Sequence, residues 1–93
     1  MANAKGTKRV EVAGRKWTVN TARLESWTAA KLIAAISANE DDESKRAAYA
    51  IQLLDYVLGD EMDKVAKECG GADARAEDVI NLGYEILTAA SKN

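Results

Sequence analysis

The chain has 93 residues, of which 47% are apolar and 30% are charged, and it contains no histidine, proline or phenylalanine. A chain of this length can close one modest hydrophobic core, so we expect a single domain. The absence of histidine removes the commonest general base and the commonest metal ligand, which excludes most catalytic and metal-site templates.

The charges are unevenly distributed along the chain. Residues 1–19 hold five basic side chains against Glu11 alone, whereas the remaining residues hold eight basic and fourteen acidic side chains. Cys69 has no second cysteine to pair with, and the first ten residues lack the apolar run of a secretion signal. No window approaches the roughly 20 apolar residues of a membrane span. These features predict a cytoplasmic protein that does not cross a bilayer.

The N-terminal segment is predicted to be a flexible arm followed by a β-hairpin. Residues 1–8, MANAKGTK, are small and polar without periodicity, and residues 9–93 form the predicted domain. In RVEVAGRKWTVN, strict alternation predicts one apolar hairpin face, formed by Val10, Val12, Trp17 and Val19. A two-residue turn at Gly14 and Arg15 would place Val12 opposite Trp17 and Val10 opposite Val19. We expect Trp17 to anchor this face on the helices.

Four helical segments follow in the predicted order, over about residues 20–38, 44–58, 60–68 and 75–91. The first has an apolar face of Leu24, Trp27, Leu32 and Ile36, and Asn20 or Thr21 can cap it. The second carries Ala47, Ile51, Leu54 and Leu58 in one line and ends at Gly59. Asp60 is the predicted cap of the third helix, and Asp73 is the predicted cap of the last helix. The predicted fold class is therefore mainly α (α+β), with an N-terminal hairpin packed on about four helices.

The last helix is apolar over an arc of about 200°, twice what one core contact requires. One stripe contains Val79, Leu82, Gly83, Ile86 and Ala90, and a second contains Ile80, Tyr84 and Leu87. In a chain this short, the second stripe is covered either by helix one and the hairpin or by another protein. Our partner-binding hypothesis assigns that contact to Ile80, Tyr84 and Leu87.

The remaining candidates for chemistry are weak. Cys69 has no histidine to activate it, and a thiol at a helix end usually packs as a small hydrophobe. The acidic run ANEDDES lacks the alternating ligands and central glycine of a calcium loop, so we interpret it as a helix start. We therefore expect no catalytic residue, no metal and no cofactor. Nucleic-acid binding stays open as an alternative, because the basic arm could contact phosphates while Trp17 stacks on a base.

Four stretches in this order resemble the tail assembly chaperones of long-tailed (siphovirus-type) bacteriophages and related prophages: VEVAGRKWTVN, LESWTAAKLIAAI, AYAIQLLDYVLGDEMDKV and ARAEDVINLGYEIL. The resemblance covers roughly residues 8–93 and depends on the element order, the aliphatic second helix and the form of the last helix.

The resemblance implies a non-enzymatic protein that acts in the cytoplasm of the bacterial host and is missing from the mature virion. Such a chaperone binds the tape measure protein, an elongated and largely helical polypeptide, until tail tube subunits polymerise around it. The tail tube protein and a second copy of the chain are further implied partners. A structural tail or connector component is the other alternative.

Overall fold

A two-stranded antiparallel sheet precedes the helices in the computed structural model, which describes residues 6–92. The elements are β1 Thr7–Val12, β2 Arg15–Asn20, α1 Thr21–Leu24, α2 Trp27–Ala38, α3 Glu43–Leu58, α4 Glu61–Glu68, a 3₁₀ turn over Gly71–Asp73, and α5 Ala76–Ser91. The predicted fold class is confirmed: a mainly helical chain with an N-terminal hairpin and four principal helices, α2 to α5. The single-turn helix α1 is the first part of the predicted first helix.

The hairpin has the predicted apolar face but not the predicted register. Val10 pairs with Trp17, and Lys8 rather than Val10 pairs with Val19. The two turn residues are Ala13 and Gly14, both with positive φ, the backbone that a tight hairpin turn requires. Glycine therefore takes the second turn position instead of the first, which moves the pairing by two residues. Because side chains alternate with a period of two, this shift leaves the same residues on the apolar face.

The hairpin begins at Thr7, two residues before the predicted start at Arg9. The carbonyl oxygen of Gly6 accepts a hydrogen bond of 3.2 Å from the backbone N–H of Ala22, so the chain is attached to α1 from Gly6 onward. Residues 1–5, the rest of the predicted arm, lie outside the described residues.

The predicted first helix is divided into α1 and α2. The Asn20 side chain caps α1 as expected, by accepting a hydrogen bond from the backbone N–H of Arg23 at 2.9 Å. A second cap interrupts the segment, because the Ser26 hydroxyl accepts from the backbone N–H of Ala29 at 3.2 Å. The helical period therefore restarts at Ser26. Placing Trp27 on the buried face was wrong: its side chain is 75% exposed.

The helix caps show two further corrections. Asp60 has helical backbone angles and makes no side-chain capping bond, so α4 begins without the predicted cap. Asp73 lies in the 3₁₀ turn, two residues before Arg75, the residue that occupies the cap position of α5. Gly59 follows α3 as predicted. Within the acidic run, Asp42 caps α3 by accepting from the backbone N–H of Lys45 at 3.1 Å, as the helix-start interpretation requires.

The core lies where the hairpin, α3, α4 and α5 meet. Its largest fully buried side chains are Trp17, Val19, Leu54, Val65 and Ile86. Trp17 anchors the hairpin as predicted and donates its indole N–H to the Val12 carbonyl at 3.0 Å. One residue of the predicted α3 line departs from this core, because Ile51 is 41% exposed.

None of the helices between residues 6 and 92 combines the length and apolar character that a bilayer crossing requires.

Candidate functional site

The three residues of the partner-binding hypothesis have different environments. Leu87 is a core residue with 7% of its surface exposed, on a helix that packs against the hairpin and α3. Ile80 and Tyr84 are only half-buried, and both line an open groove. The structure therefore covers the C-terminal part of the second stripe internally and leaves the N-terminal part accessible.

The groove runs between α2 and α5 with α3 as its floor. Both α2 and α5 pack against α3, but they make little contact with each other. Ile36 belongs to the α2 wall, and Ile80 and Tyr84 form the apolar part of the α5 wall. The floor contains Ala47 and Ala50, whose small side chains leave depth between the walls. The resulting cavity has a volume of about 360 Å³.

The length of the groove matches a short helical segment. On α5 the lining runs from Ala76 to Tyr84, which corresponds to about 12 Å of helix axis at 1.5 Å per residue. On α3 the lining from Glu43 to Ala50 corresponds to about 10 Å. Since one helical turn rises about 5.4 Å, the groove is long enough for two turns of a partner helix.

Charged side chains border the apolar lining at one end of the groove. Glu43 lies on the α3 side and Glu77 on the α5 side, and both are exposed. The guanidinium of Arg46 also lines the groove, where its Nη1 donates to the Glu40 carbonyl at 2.8 Å. Burial raises the pKa of the Tyr84 hydroxyl, and the positive charge of Arg46 lowers it by a smaller amount. Tyr84 is therefore a neutral, partly desolvated ring at physiological pH.

A second accessible apolar surface lies on α2 and was missed by the sequence analysis. The helix WTAAKLIAAISA has Lys31 as its single charged residue, and its outward side exposes Trp27, Ala30, Ile33, Ala34 and Ala38. The Ser26 cap, a serine preceding a new apolar run, is the signal that could have revealed this orientation.

The carboxylates and Cys69 are the side chains considered for metal binding and nucleophilic chemistry. Between residues 6 and 92, no three of the cysteine and carboxylate side chains lie close enough together to hold a metal ion. Cys69 is partly buried, and burial, followed by the nearby charges of Asp78 and Glu68, raises the pKa of its thiol. A raised pKa reduces the fraction of reactive thiolate at neutral pH.

The basic hairpin offers less to a nucleic acid than its sequence indicates. Trp17 is 2% exposed, so its ring cannot stack on a base in the folded chain. Lys8 donates to the carbonyl oxygens of Ala90 and Lys92 at the end of α5. Arg15 forms an ion pair with Glu68 at 2.6 Å. The basic side chains that stay on the open face of the described hairpin are Arg9 and Lys16.

Comparisons of the chain with family models, with curated proteins and with solved structures give no significant match in any of the three. The candidate site is therefore defined by its geometry alone.

Proposed function

We propose that this chain is a non-enzymatic tail assembly chaperone that binds the phage tape measure protein. The resemblance of its sequence to that family supplies the partner, and the apolar groove between α2 and α5 supplies the binding surface. The groove carries the proposal, because Ile80 and Tyr84 line it and, although they pack against the core, keep part of their apolar surface exposed.

The groove suits a largely helical partner for a physical reason. An amphipathic helix inserts apolar side chains spaced three and four residues apart into such a groove and so removes apolar surface from water. Burying this surface contributes roughly 25 cal/mol for each Å². The walls fix the direction of the inserted helix, while the alanines on the floor accept side chains of different size.

The charge distribution fits a carrier of apolar polypeptides. The part of the chain after residue 19 has fourteen acidic and eight basic side chains, and this excess of like charge opposes aggregation of the loaded chaperone. In this function the protein holds the tape measure protein soluble in the host cytoplasm and leaves it when tail tube subunits assemble.

The experiment that tests this function is co-expression of the chain with tape measure protein from the same phage. Tyr84→Glu places a charge on the groove wall and should abolish co-purification and leave the tape measure protein insoluble. Thr88→Glu is the matched control, because it adds the same charge at an exposed position of α5 outside this groove. Circular dichroism of both variants should retain the helical signal of the parent protein.

The outcomes separate the chaperone from other functions. Equal co-purification with Tyr84→Glu and Thr88→Glu would exclude this groove as the binding surface. Loss of the helical signal in Tyr84→Glu would assign Tyr84 to the core. Detection of the chain in purified phage particles would contradict the chaperone and favour a structural tail or connector component.

A small nucleic-acid-binding regulator is the second candidate, favoured by the exposure of Arg9 and Lys16 on the hairpin. Phosphate contacts release counterions, so such binding would weaken steeply as salt rises, whereas apolar groove binding would weaken little. A mobility-shift series from about 50 to 200 mM salt distinguishes them. The regulator would be favoured by a mobility shift that is lost as salt rises and is also lost in the double variant Arg9→Ala, Lys16→Ala.

A further inference from the structure

One end of the groove is acidic because two helices begin there side by side. The groove lining contains the first turn of α3 and the first turn of α5. At the open end of the hairpin, Lys8 donates to the Ala90 carbonyl of α5 and Arg23 donates to the Tyr56 carbonyl of α3, so the C-termini of both helices lie together and their N-termini lie at the opposite end. Seven acidic residues precede or begin the two helices: Glu40, Asp41, Asp42, Glu43, Asp73, Glu77 and Asp78. Three basic residues occur in the same segments: Lys45, Arg46 and Arg75.

The basic residues compensate for this charge only in part. Arg46 is held by the Glu40 carbonyl, and Arg75 lies 3.7 Å from Glu77 in an ion pair with both side chains exposed. Exposed pairs of this kind are weak and are screened by salt. The seven acidic residues are all exposed, and two of them, Glu43 and Glu77, line the groove, where Arg46 is the single basic lining residue of the described chain.

We propose that the groove binds an amphipathic helical segment of about two turns that carries lysine or arginine next to its apolar anchors. The apolar side chains would lie between Ile36, Ile80 and Tyr84 over the alanine floor. The basic residues would lie at the end bordered by Glu43 and Glu77. This inference depends on the proposed function and specifies which segments of the partner the site selects.

The size of the groove favours such a segment over a second copy of the chain. A stable dimer buries about 800 Å² on each partner. A lining that extends over about 12 Å of α5 and 10 Å of α3 offers contact to one short helix and falls short of that area. The negative border would also repel the acidic body of a second copy.

Two fluorescein-labelled synthetic peptides test the proposal by fluorescence anisotropy. Both have the same leucines at i, i+3, i+4 and i+7, and they differ only in having lysine or glutamate at the flanking positions. At low salt the lysine peptide should bind roughly fivefold to tenfold more tightly, which corresponds to two or three exposed charge contacts. The difference should shrink at 0.5 M salt, where the screening length falls well below ~10 Å.

A pair of double variants locates the origin of this preference. The double variant Glu43→Gln, Glu77→Gln should lose the preference for the lysine peptide. The control double variant Asp55→Asn, Asp63→Asn changes exposed positions outside the groove lining and should keep that preference. A preference that survives the first pair would overturn the inference, because the charge contacts would then lie elsewhere.

The remaining outcomes separate this inference from the proposed function. Equal binding of the two peptides, abolished by Tyr84→Glu, would overturn the charge preference and leave the apolar groove function standing. Failure of both peptides to bind, while tape measure protein still co-purifies in a Tyr84-dependent manner, would overturn the inference alone. Failure of both peptides together with loss of co-purification would contradict both proposals.

Discussion

Gly83 on α5 lies directly against Leu54 on α3. A Cβ atom at position 83 would stand 2.7 Å from one terminal methyl of Leu54 and 2.8 Å from the other, distances that real Cβ atoms essentially never show. Leu54 is fully buried, so both of its terminal methyls would have to shift within the packed core to admit this atom. This contact brings α5 close to α3 and thereby fixes the floor and one wall of the groove.

The close contact predicts that Gly83→Ala destabilises the protein, although alanine normally stabilises a helix interior by about 1 kcal/mol relative to glycine. Overpacking against Leu54 should outweigh that gain and produce a net loss of about 1–3 kcal/mol in the free energy of unfolding. Urea unfolding measures the loss. Thr88→Ala, on the exposed side of the same helix, should be neutral or slightly stabilising. A Gly83→Ala variant as stable as the parent would contradict the close contact between α5 and Leu54 of α3.

The two tryptophans should respond oppositely to substitution. Trp17→Phe removes the indole N–H bonded to the Val12 carbonyl and leaves unfilled space in the core, so we expect a loss of about 1–3 kcal/mol. Trp27→Phe, at a 75% exposed position, should change stability by less than about 0.5 kcal/mol. Acrylamide should quench the fluorescence of the Trp17→Phe variant, which retains Trp27, much more strongly than that of the Trp27→Phe variant. Similar quenching of both would contradict the orientation of α2.

The caps of α2 and α4 predict different effects of removing a polar side chain. Ser26→Ala removes the hydroxyl that accepts from the Ala29 N–H, and we expect a loss of about 1 kcal/mol. Asp60 makes no side-chain capping bond, so Asp60→Ala should stay within about 0.5 kcal/mol of the parent. Thermal unfolding of the two variants measures the difference. Equal losses would indicate that α2 continues from α1 without a new start.

The Cys69 thiol should titrate at a higher pH in the folded protein than in the unfolded chain, because burial raises its pKa above the ordinary value of 9.0. The folded state then holds a proton that the unfolded state has already released. Its contribution to stability is complete below the unfolded pKa and is lost as pH rises through the folded pKa. The rate of iodoacetamide alkylation against pH, with and without urea, measures both midpoints. A folded midpoint at or below the unfolded one would contradict the raised pKa.

Much of the fold could be predicted from the sequence because local patterns decided it. The alternation around Trp17 determined the hairpin face, and the helical period of residues 44–58 determined α3 almost to the residue. The hairpin register could not be predicted, since Gly14 can occupy either turn position. The orientation of Trp27 was missed because a single serine restarts the helical period, which apolar spacing alone does not reveal.

The candidate site was predictable only in part. The width of the apolar arc on α5 predicted a second stripe beside the central core, and the structure leaves Ile80 and Tyr84 of that stripe partly exposed, although both pack against the core. It could not separate them from Leu87, because burial of Leu87 depends on how α5 packs against the other elements of the core, which is a tertiary property. The α2 wall of the groove could not be predicted from the sequence either, because it depends on how α2 and α5 are arranged around α3.

The most direct test of the groove as the partner site is a titration of the ¹⁵N-labelled chain with a tape measure protein fragment, followed by amide chemical shifts. We predict that the largest changes occur in the second half of α2, the first half of α3 and the first half of α5, around Ile36, Ala47 and Ile80. The amides of the hairpin face around Arg9 and Lys16 should change little. Changes concentrated on the hairpin, with the groove amides unaffected, would contradict the account.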